Sequence, residues 1–307
     1  MDLRKGQRLG NYRLLKVLGR GGVAEVYLAE HLHLKTFTAI KLLRGRLTPQ
    51  DLEKFLREAQ LLARLKHPHI LPVIDFGFEG TTPFFVMEYA VNGTLRDRYP
   101  RGSILSFSQI ILYARQIAAA LQHAHMARII HRDIKPENML LDDQGRLLLS
   151  DFGSATLAHR TTSLQTLDTA GTPHYMAPEQ YLGKPCTASD QYALAIVVYE
   201  WLCGRRPFHG SSSLEIAKYH LVTPPPALRK WVPDLPLELE QVILRALSKD
   251  PQHRFESIVA FVTALEYASQ AGKVPIEKPV LTPCSSTHHL PAVSWPLLMA
   301  VTSLLLP

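Results

Sequence analysis

The pattern of the chain predicts an α+β fold in two lobes, a small β-rich one and then a larger helical one. Two observations carry this. Residues 12–45 alternate in polarity or are β-branched, with glycines as punctuation, which is how strands and turns read. After Asn92-Gly93 the apolar residues recur at helical spacing instead.

In order, "YRLLKVLG", "AEVYLAEH" and "FTAIKLL" are strands, with Gly19, Gly21 and Gly22 between the first two. "DLEKFLREAQLLARL" is an amphipathic helix, with Phe55, Ala59, Leu62 and Leu65 near one face, and His67-Pro68 stops it. "HILPVIDFG" and "PFFVMEYA" are two more strands. Ser106 or Ser108 caps the helix "QIILYARQIAAALQHAH". Next come a polar string, "IIHRDIKPENMLL", the short strand-like runs "MLLD" and "RLLLSD", and a Ser/Thr-rich loop from Ser154 to Thr172. "SDQYALAIVVYEWLCG" is apolar nearly all round, as a buried helix is, and Gly204 ends it. "LPLELEQVILRALSKD" and "ESIVAFVTALEYASQ" are the last two helices. The lobes are expected at residues 1–90 and 91–270, followed by a Pro/Ser/Thr-rich linker at 271–291 and a short apolar tail at 292–307.

With 307 residues, 46% hydrophobic and 20% charged, the chain has ample material for a soluble core. The net charge of +7 permits an anionic partner. The basic residues are scattered, without a Lys/Arg block or zinc-finger spacing, so no nucleic-acid partner is expected. Cys186, Cys203 and Cys284 show no paired spacing, which suits a reducing cytoplasm. The N-terminus lacks the apolar core of a signal peptide. His31, His33, His67 and His69 lack a coherent metal-ligand pattern, and the pair at His123 and His125 reads as helix surface.

The polar string needs a reason, because charges beside buried strands cost free energy unless they are paired, solvated or used. Four separated motifs supply one: "GRGGVAEV" between two strands, "AIK" closing a strand at Lys41, "HRDIKPEN", and "DFG" at Asp151 after a strand. Singly, most have a bland reading: a glycine-rich hairpin, an edge lysine, a common turn. In this order, with "GTPHYMAPE" following, they resemble the protein kinase family. The resemblance covers residues 10–268, and "GGVAEVYLAEH" and "MAPEQ" look most like the eukaryotic-type serine/threonine kinases of bacteria.

The resemblance implies a role for each polar residue. Asp133 would accept or orient the proton of the substrate hydroxyl, and Lys135 would sit near the transferred phosphate. Asn138 and Asp151 would hold magnesium, or manganese in its place. Lys41 would pair with the phosphates of ATP and with Glu58, 17 positions on, with Glu53 as the competing acid. Gly19, Gly21 and Gly22 would let backbone amides approach phosphate, although Ala24 stands where the family has a third glycine. Leu18, Val26, Ala39 and Leu140 would sandwich adenine, Met87 would guard the pocket, and the backbone of Glu88 and Ala90 would bind the adenine edge. His131 would pack on Phe152, Asp190 would brace the catalytic loop, and Arg254 would pair with Glu179. Arg132 would bind a phosphorylated loop, with Thr166 and Thr169 favoured over Thr161 and Thr162 as autophosphorylation sites. Thr172 would bond to Asp133 and Lys135.

The implied function is transfer of the γ-phosphate of ATP to serine or threonine of proteins, including the chain itself. The alternative is a pseudokinase scaffold, marked by loss of the lysine or the aspartates; Lys41, Asp133, Asn138 and Asp151 are all present. Residues 290–307 carry no charge but fall short of the roughly 20 apolar residues that span a bilayer. With Trp295 at the interface, they are expected to act as a marginal anchor on the cytoplasmic face, dispensable for catalysis.

Overall fold

Six antiparallel strands make the first lobe, and their side-chain alternation decides what faces the rest of the molecule. The computed structural model describes residues 6–22, 24–43, 49–152 and 173–271. All of them fall within one compact unit, Met1–Lys273. The sheet runs β1-β2-β3-β4-β6-β5, with β1 at Arg8–Leu9, β2 at Tyr12–Arg20, β3 at Ala24–His31, β4 at Phe37–Leu43, β5 at Val73–Glu79 and β6 at Thr82–Glu88. Side chains alternate between faces along a strand. Ile40 and Leu42 of β4 and Phe84 and Val86 of β6 therefore join Leu14 and Tyr27 in an outer cluster. Ala39, Phe85 and Met87 point the other way, into the main core, and the same alternation sends Lys41 to that face.

Between β4 and β5 lies helix α1, Pro49–Arg64. Its expected stripe is buried at Ala59, at Leu62 and, just past its end, at Leu65. The side chain of Phe55 lies outside the described ones.

The helical lobe opens with α2, Leu95–Arg98, a single turn closed by a capping box between Thr94 and Asp97. α3, Phe107–Met126, is capped by Ser106, whose side chain accepts from the Gln109 amide. A 3-10 turn, Pro136–Asn138, leads into β7, Met139–Leu141, which pairs with β8, Leu147–Leu149. Then follow α4 (Pro178–Tyr181), α5 (Thr187–Cys203), α6 (Ser213–Val222), α7 (Leu237–Ala246) and α8 (Ile258–Ala271). Every residue of α5 from Ser189 to Cys203 is buried, as its nearly all-apolar sequence requires.

Gly204 ends α5 for two separate reasons. Its φ of +73° lies in the left-handed region, and a Cβ there would stand 2.7 Å from the Gly102 carbonyl oxygen. The loop between α2 and α3 thus packs directly on the end of α5, and the Leu105 amide bonds to the Trp201 carbonyl at 2.9 Å.

The sequence reading passed over three helices, α2, α4 and α6, and α4, like α2, is a single turn. α2 is too short for periodicity to register. α6 announces itself only through Ser212, whose side chain caps the Glu215 amide. Among the described residues no helix is long and apolar enough to cross a membrane, and the tail at 292–307 lies outside them.

A buried ion pair ties the far end of the lobe together. Both guanidinium ends of Arg254 reach the Glu179 carboxylate at 2.8 Å, and the Ser189 hydroxyl donates to the same carboxylate at 2.7 Å. Burial alone would raise the Glu179 pKa; the Arg254 and Ser189 bonds outweigh it and hold it below the usual 4.5. Removing one partner strands a buried charge, so Arg254→Met should cost about 3–5 kcal/mol in urea unfolding at neutral pH. A depressed carboxylate pKa stabilises the fold above the unfolded value and stops doing so as pH falls. The deficit of the variant should therefore shrink as pH falls below 4.5, where Glu179 of the unfolded chain takes up its proton before that of the folded one.

Candidate active site

The polar string occupies the loop between α3 and β7, and a carboxylate from α5 shapes it. Asp190 is 1% exposed. Its two oxygens accept the backbone amides of His131 at 2.9 Å and Arg132 at 2.8 Å. Between those bonds the backbone turns through a left-handed residue, Arg132, with φ of +70°. A non-glycine residue held there costs on the order of 1–3 kcal/mol, which the Asp190 bonds offset. From the other side, the Gln180 side chain of α4 donates to the Arg132 carbonyl at 2.9 Å.

His131 is the loop's internal spacer. It is completely buried. The Asp133 amide can only donate, so His131 Nδ1 accepts it at 3.2 Å, and Nε2 must carry the proton that bonds to the Ser150 carbonyl at 2.8 Å. Burial lowers the His131 pKa against the pull of Asp190 and Asp133, in keeping with a neutral ring. Phe152 packs on it with ring centres 4.5 Å apart, the contact the sequence reading expected.

Asp133, Lys135 and Asn138 meet in one hydrogen-bonded group. Lys135 Nζ donates to Asp133 Oδ2 at 2.7 Å, and Asn138 Nδ2 donates to the same oxygen at 3.0 Å and to the Asp133 carbonyl at 2.7 Å. Both Asn138 bonds use the amide nitrogen, which orients its oxygen for another partner. Ser150 fixes Asn138 to β8 by bonding to its carbonyl through both amide (2.9 Å) and hydroxyl (3.1 Å).

Across from this group, Lys41 of β4 meets Asp151 at 2.8 Å. The Lys41 side chain is 8% exposed. Asp151, like Arg132, is left-handed, with φ of +66°. Burial would raise the Asp151 pKa, but the charge and hydrogen bond of Lys41, with Lys135 behind, bring it down. Behind the pair is a cavity of about 40 Å³, lined in part by Leu62, Phe85, Met87 and Phe152. Glu58 lies in α1, but its side chain is outside the described ones.

Of the expected nucleotide residues, Val26, Ala39 and Leu140 lie on the same side as Met87. Gly19 stands opposite Val26 in the β2–β3 hairpin, Val26 opposite Lys41, and Ala39 opposite Met87. Gly21 closes the hairpin turn, its amide bonding to the Ala24 carbonyl at 2.9 Å, and Gly22 lies within that turn. Val26 and Leu140 pack against the core that contains Ala39 and Met87. Leu18 is 40% exposed. Glu88 ends β6 and the buried Ala90 follows it. Thr166, Thr169 and Thr172 lie outside the described residues.

One expectation is overturned. His125 is not a surface residue: its side chain is 8% exposed and its Nε2 lies 2.8 Å from Asp190. Helical spacing places His125 on a face but does not show that a carboxylate from α5 meets it there. Sequence reasoning also missed Arg96, which bonds to Glu137 at 3.0 Å, Glu200 at 2.9 Å and the Tyr175 hydroxyl at 2.7 Å. The available signal was the Thr94-to-Asp97 capping pattern that builds α2 around it.

Comparison with known proteins adds to this geometry. Residues 12–265 match the protein kinase domain family. The chain is 41% identical over 256 residues to serine/threonine-protein kinase PrkC of Bacillus subtilis, covering 82% of this chain and 40% of that one. It is 37% identical over 282 residues to serine/threonine-protein kinase PknA of Mycobacterium tuberculosis, covering 89% and 64%. It is 36% identical to the probable serine/threonine-protein kinase PknB of Lactococcus lactis, covering 82% and 41%. The chain thus spans between two fifths and two thirds of the length of these relatives.

The brace from α5 is testable without any activity. Asp190→Asn keeps the shape but replaces one acceptor oxygen with a donor, facing a backbone amide. It should cost about 1–3 kcal/mol in thermal or urea unfolding. Hydrogen exchange at the His131 and Arg132 amides should accelerate beyond the change at β6, which the substitution does not touch.

Proposed function

This chain belongs to the protein kinase family, and we propose that it transfers the γ-phosphate of ATP to serine or threonine hydroxyls of proteins. The observation that carries the proposal is the hydrogen-bonded group of Asp133, Lys135 and Asn138, set opposite the Lys41–Asp151 pair. The names of the relatives, each a serine/threonine-protein kinase, support the same acceptor class.

Phosphoryl transfer needs position and charge neutralisation more than covalent help. The acceptor oxygen forms a bond to the γ-phosphorus as the bond to the β–γ bridging oxygen breaks, and ADP leaves. Asp133 orients the acceptor hydroxyl and takes its proton; the Lys135 bond fixes the carboxylate rotamer and places a cation beside the moving phosphoryl group. Lys41, aimed into the cleft by the alternation of β4, holds the phosphates of the nucleotide. Val26, Ala39 and Leu140 offer apolar surface to adenine, Leu18 covers it, and the backbone of Glu88 and Ala90 meets its polar edge.

The donor set also fits a hard divalent cation, because the Asp151 carboxylate and the Asn138 amide present oxygen. The Asn138 nitrogen is already engaged with Asp133, so its oxygen is the atom on offer. Magnesium, with manganese as a substitute, supplies neutralisation of phosphate charge when bound there. Arg132, Thr166 and Thr169 belong to the same reading as a receptor and two sites for autophosphorylation, and the uncharged tail as a weak membrane contact.

With radiolabelled ATP and magnesium, the protein should label itself and a generic basic protein, and phosphoamino-acid analysis should return serine and threonine. Asp133→Asn should lower transfer by roughly 10²–10⁴-fold, the usual worth of a positioned acid–base group, and Lys41→Met should abolish most of it. Wild-type rates in Asp133→Asn would remove the base assignment.

Among the described residues a Cβ at Gly19 would meet no atom within 4 Å, so their packing does not demand glycine there. Gly19→Ala should leave the melting temperature in place and weaken nucleotide binding in calorimetry, because the methyl group stands where phosphate approaches.

A further inference from the structure

The side of the acceptor site built by α2, the α2–α3 loop and the end of α5 has an uneven charge balance. Glu137 immediately precedes Asn138, and Glu200 lies near the end of α5. Two carboxylates this close to Asp133 would attract a cationic peptide. Arg96 already occupies both, at 3.0 and 2.9 Å, and also holds the Tyr175 hydroxyl, which in turn bonds to Glu200. The Arg96 side chain is 15% exposed, so this clamp is internal to the chain.

What remains is basic. Arg206 is 9% exposed, stands 5.9 Å over the Tyr175 ring, and its Nη1 has no hydrogen-bond partner among the described residues. His174 Nδ1 is buried without one in the same sense. Against these two nitrogens stands a single orphan carboxylate oxygen, Oε2 of Glu137. Arg101 and His209 are exposed nearby. The close approach of Gly102 to Gly204 carries Arg101 to the end of α5, two residues from Arg206. Burial, then Arg206, Arg101 and His209 in turn, push the His174 pKa down to about 4, which registers the positive field at this spot.

We propose that the exposed Arg101 and His209, with the buried Arg206 adding its field from beneath, select acceptor segments that carry Asp or Glu side chains. The proposal rests on the phosphotransfer reading above and specifies its substrate class. A carboxylate arriving here meets the Arg101 guanidinium and the His209 ring at the surface, with the Arg206 charge held beneath them in a low-dielectric wall that focuses the field. A basic segment finds its two natural partners already taken.

The test uses the full chain and three fluorescent peptides, each with one serine flanked by Asp/Glu, by Ala or by Lys/Arg. Fluorescence anisotropy reads binding whether or not phosphate moves, and kcat/KM reads transfer. The acidic peptide should be favoured over the neutral one by about two- to fivefold in both, the worth of one partly exposed charge pair, and salt should erode the preference. Arg206→Gln should collapse the ratio of acidic to neutral peptide toward one. Arg101→Glu, at an exposed position where folding is not at risk, should invert it in favour of the basic peptide. Arg96→Gln, which uncovers Glu137 and Glu200, should also shift binding toward the basic peptide. Equal binding of all three peptides by the wild type, a wild-type preference for the basic one, or an unchanged ratio in Arg101→Glu would overturn the proposal. Anisotropy that ranks the peptides as expected while no phosphate reaches any peptide or the protein would leave this surface standing and remove the kinase reading.

Discussion

A carboxylate buried at the start of a buried helix must find hydrogen bonds inside the protein, and Asp190 finds them in the loop between α3 and β7. It is 1% exposed and has no water to turn to. Its partners are two consecutive amides of the string "HRD" and the ring of His125. Those amides can both reach it only if the chain reverses sharply between them, which forces Arg132 into the left-handed region. Asp133 follows at once, so its direction is set by a buried carboxylate on another element. The same helix does this twice: Glu200, near its other end, holds Arg96 and Tyr175. α5 is thus a rigid bar with an acid toward each end, and each acid fixes a piece of the site's wall.

The site's second strained residue, Asp151, is held by a different device. Its carboxylate is tied to Lys41 on the sheet, and its neighbour Phe152 is packed against His131. His131 bonds to Ser150 and to the Asp133 amide, so one neutral ring joins the loop before β7 to the segment after β8. Each φ near +70° here costs free energy, and each is surrounded by contacts that fix it. Geometry of this kind is pre-organised before any ligand binds.

Much of this was legible in the sequence, because periodicity and ordered motifs are local signals. Strand alternation announced that Ala39 and Lys41 share a face, and the apolar run of α5 announced its burial. Glu179 with Arg254, Asp190 with the loop, and His131 with Phe152 were readable only through family resemblance, since no local pattern links residues 75 positions apart. His125 failed because a helix surface and a helix–helix contact have the same spacing. Arg96 failed because a four-residue helix has no period, and because its partners Glu137, Tyr175 and Glu200 come from three separate elements. Ionic clamps assembled from distant segments are a product of tertiary packing and leave little trace in any one stretch.

The Lys41–Asp151 contact has a consequence for how the cleft fills. The lysine and the carboxylate neutralise each other in a largely enclosed place. A nucleotide and its metal ion arrive as an oppositely charged couple. Under the proposed function each would take one member of the resident pair, so loading would be an exchange of partners between two salts rather than the addition of charge to an apolar pocket. The pair leaves neither ion unpaired, and the exchange would leave none unpaired either. Desolvation, the usual obstacle to burying polyphosphate, is met partly in advance by a protein that carries its own counter-ions and trades them on contact.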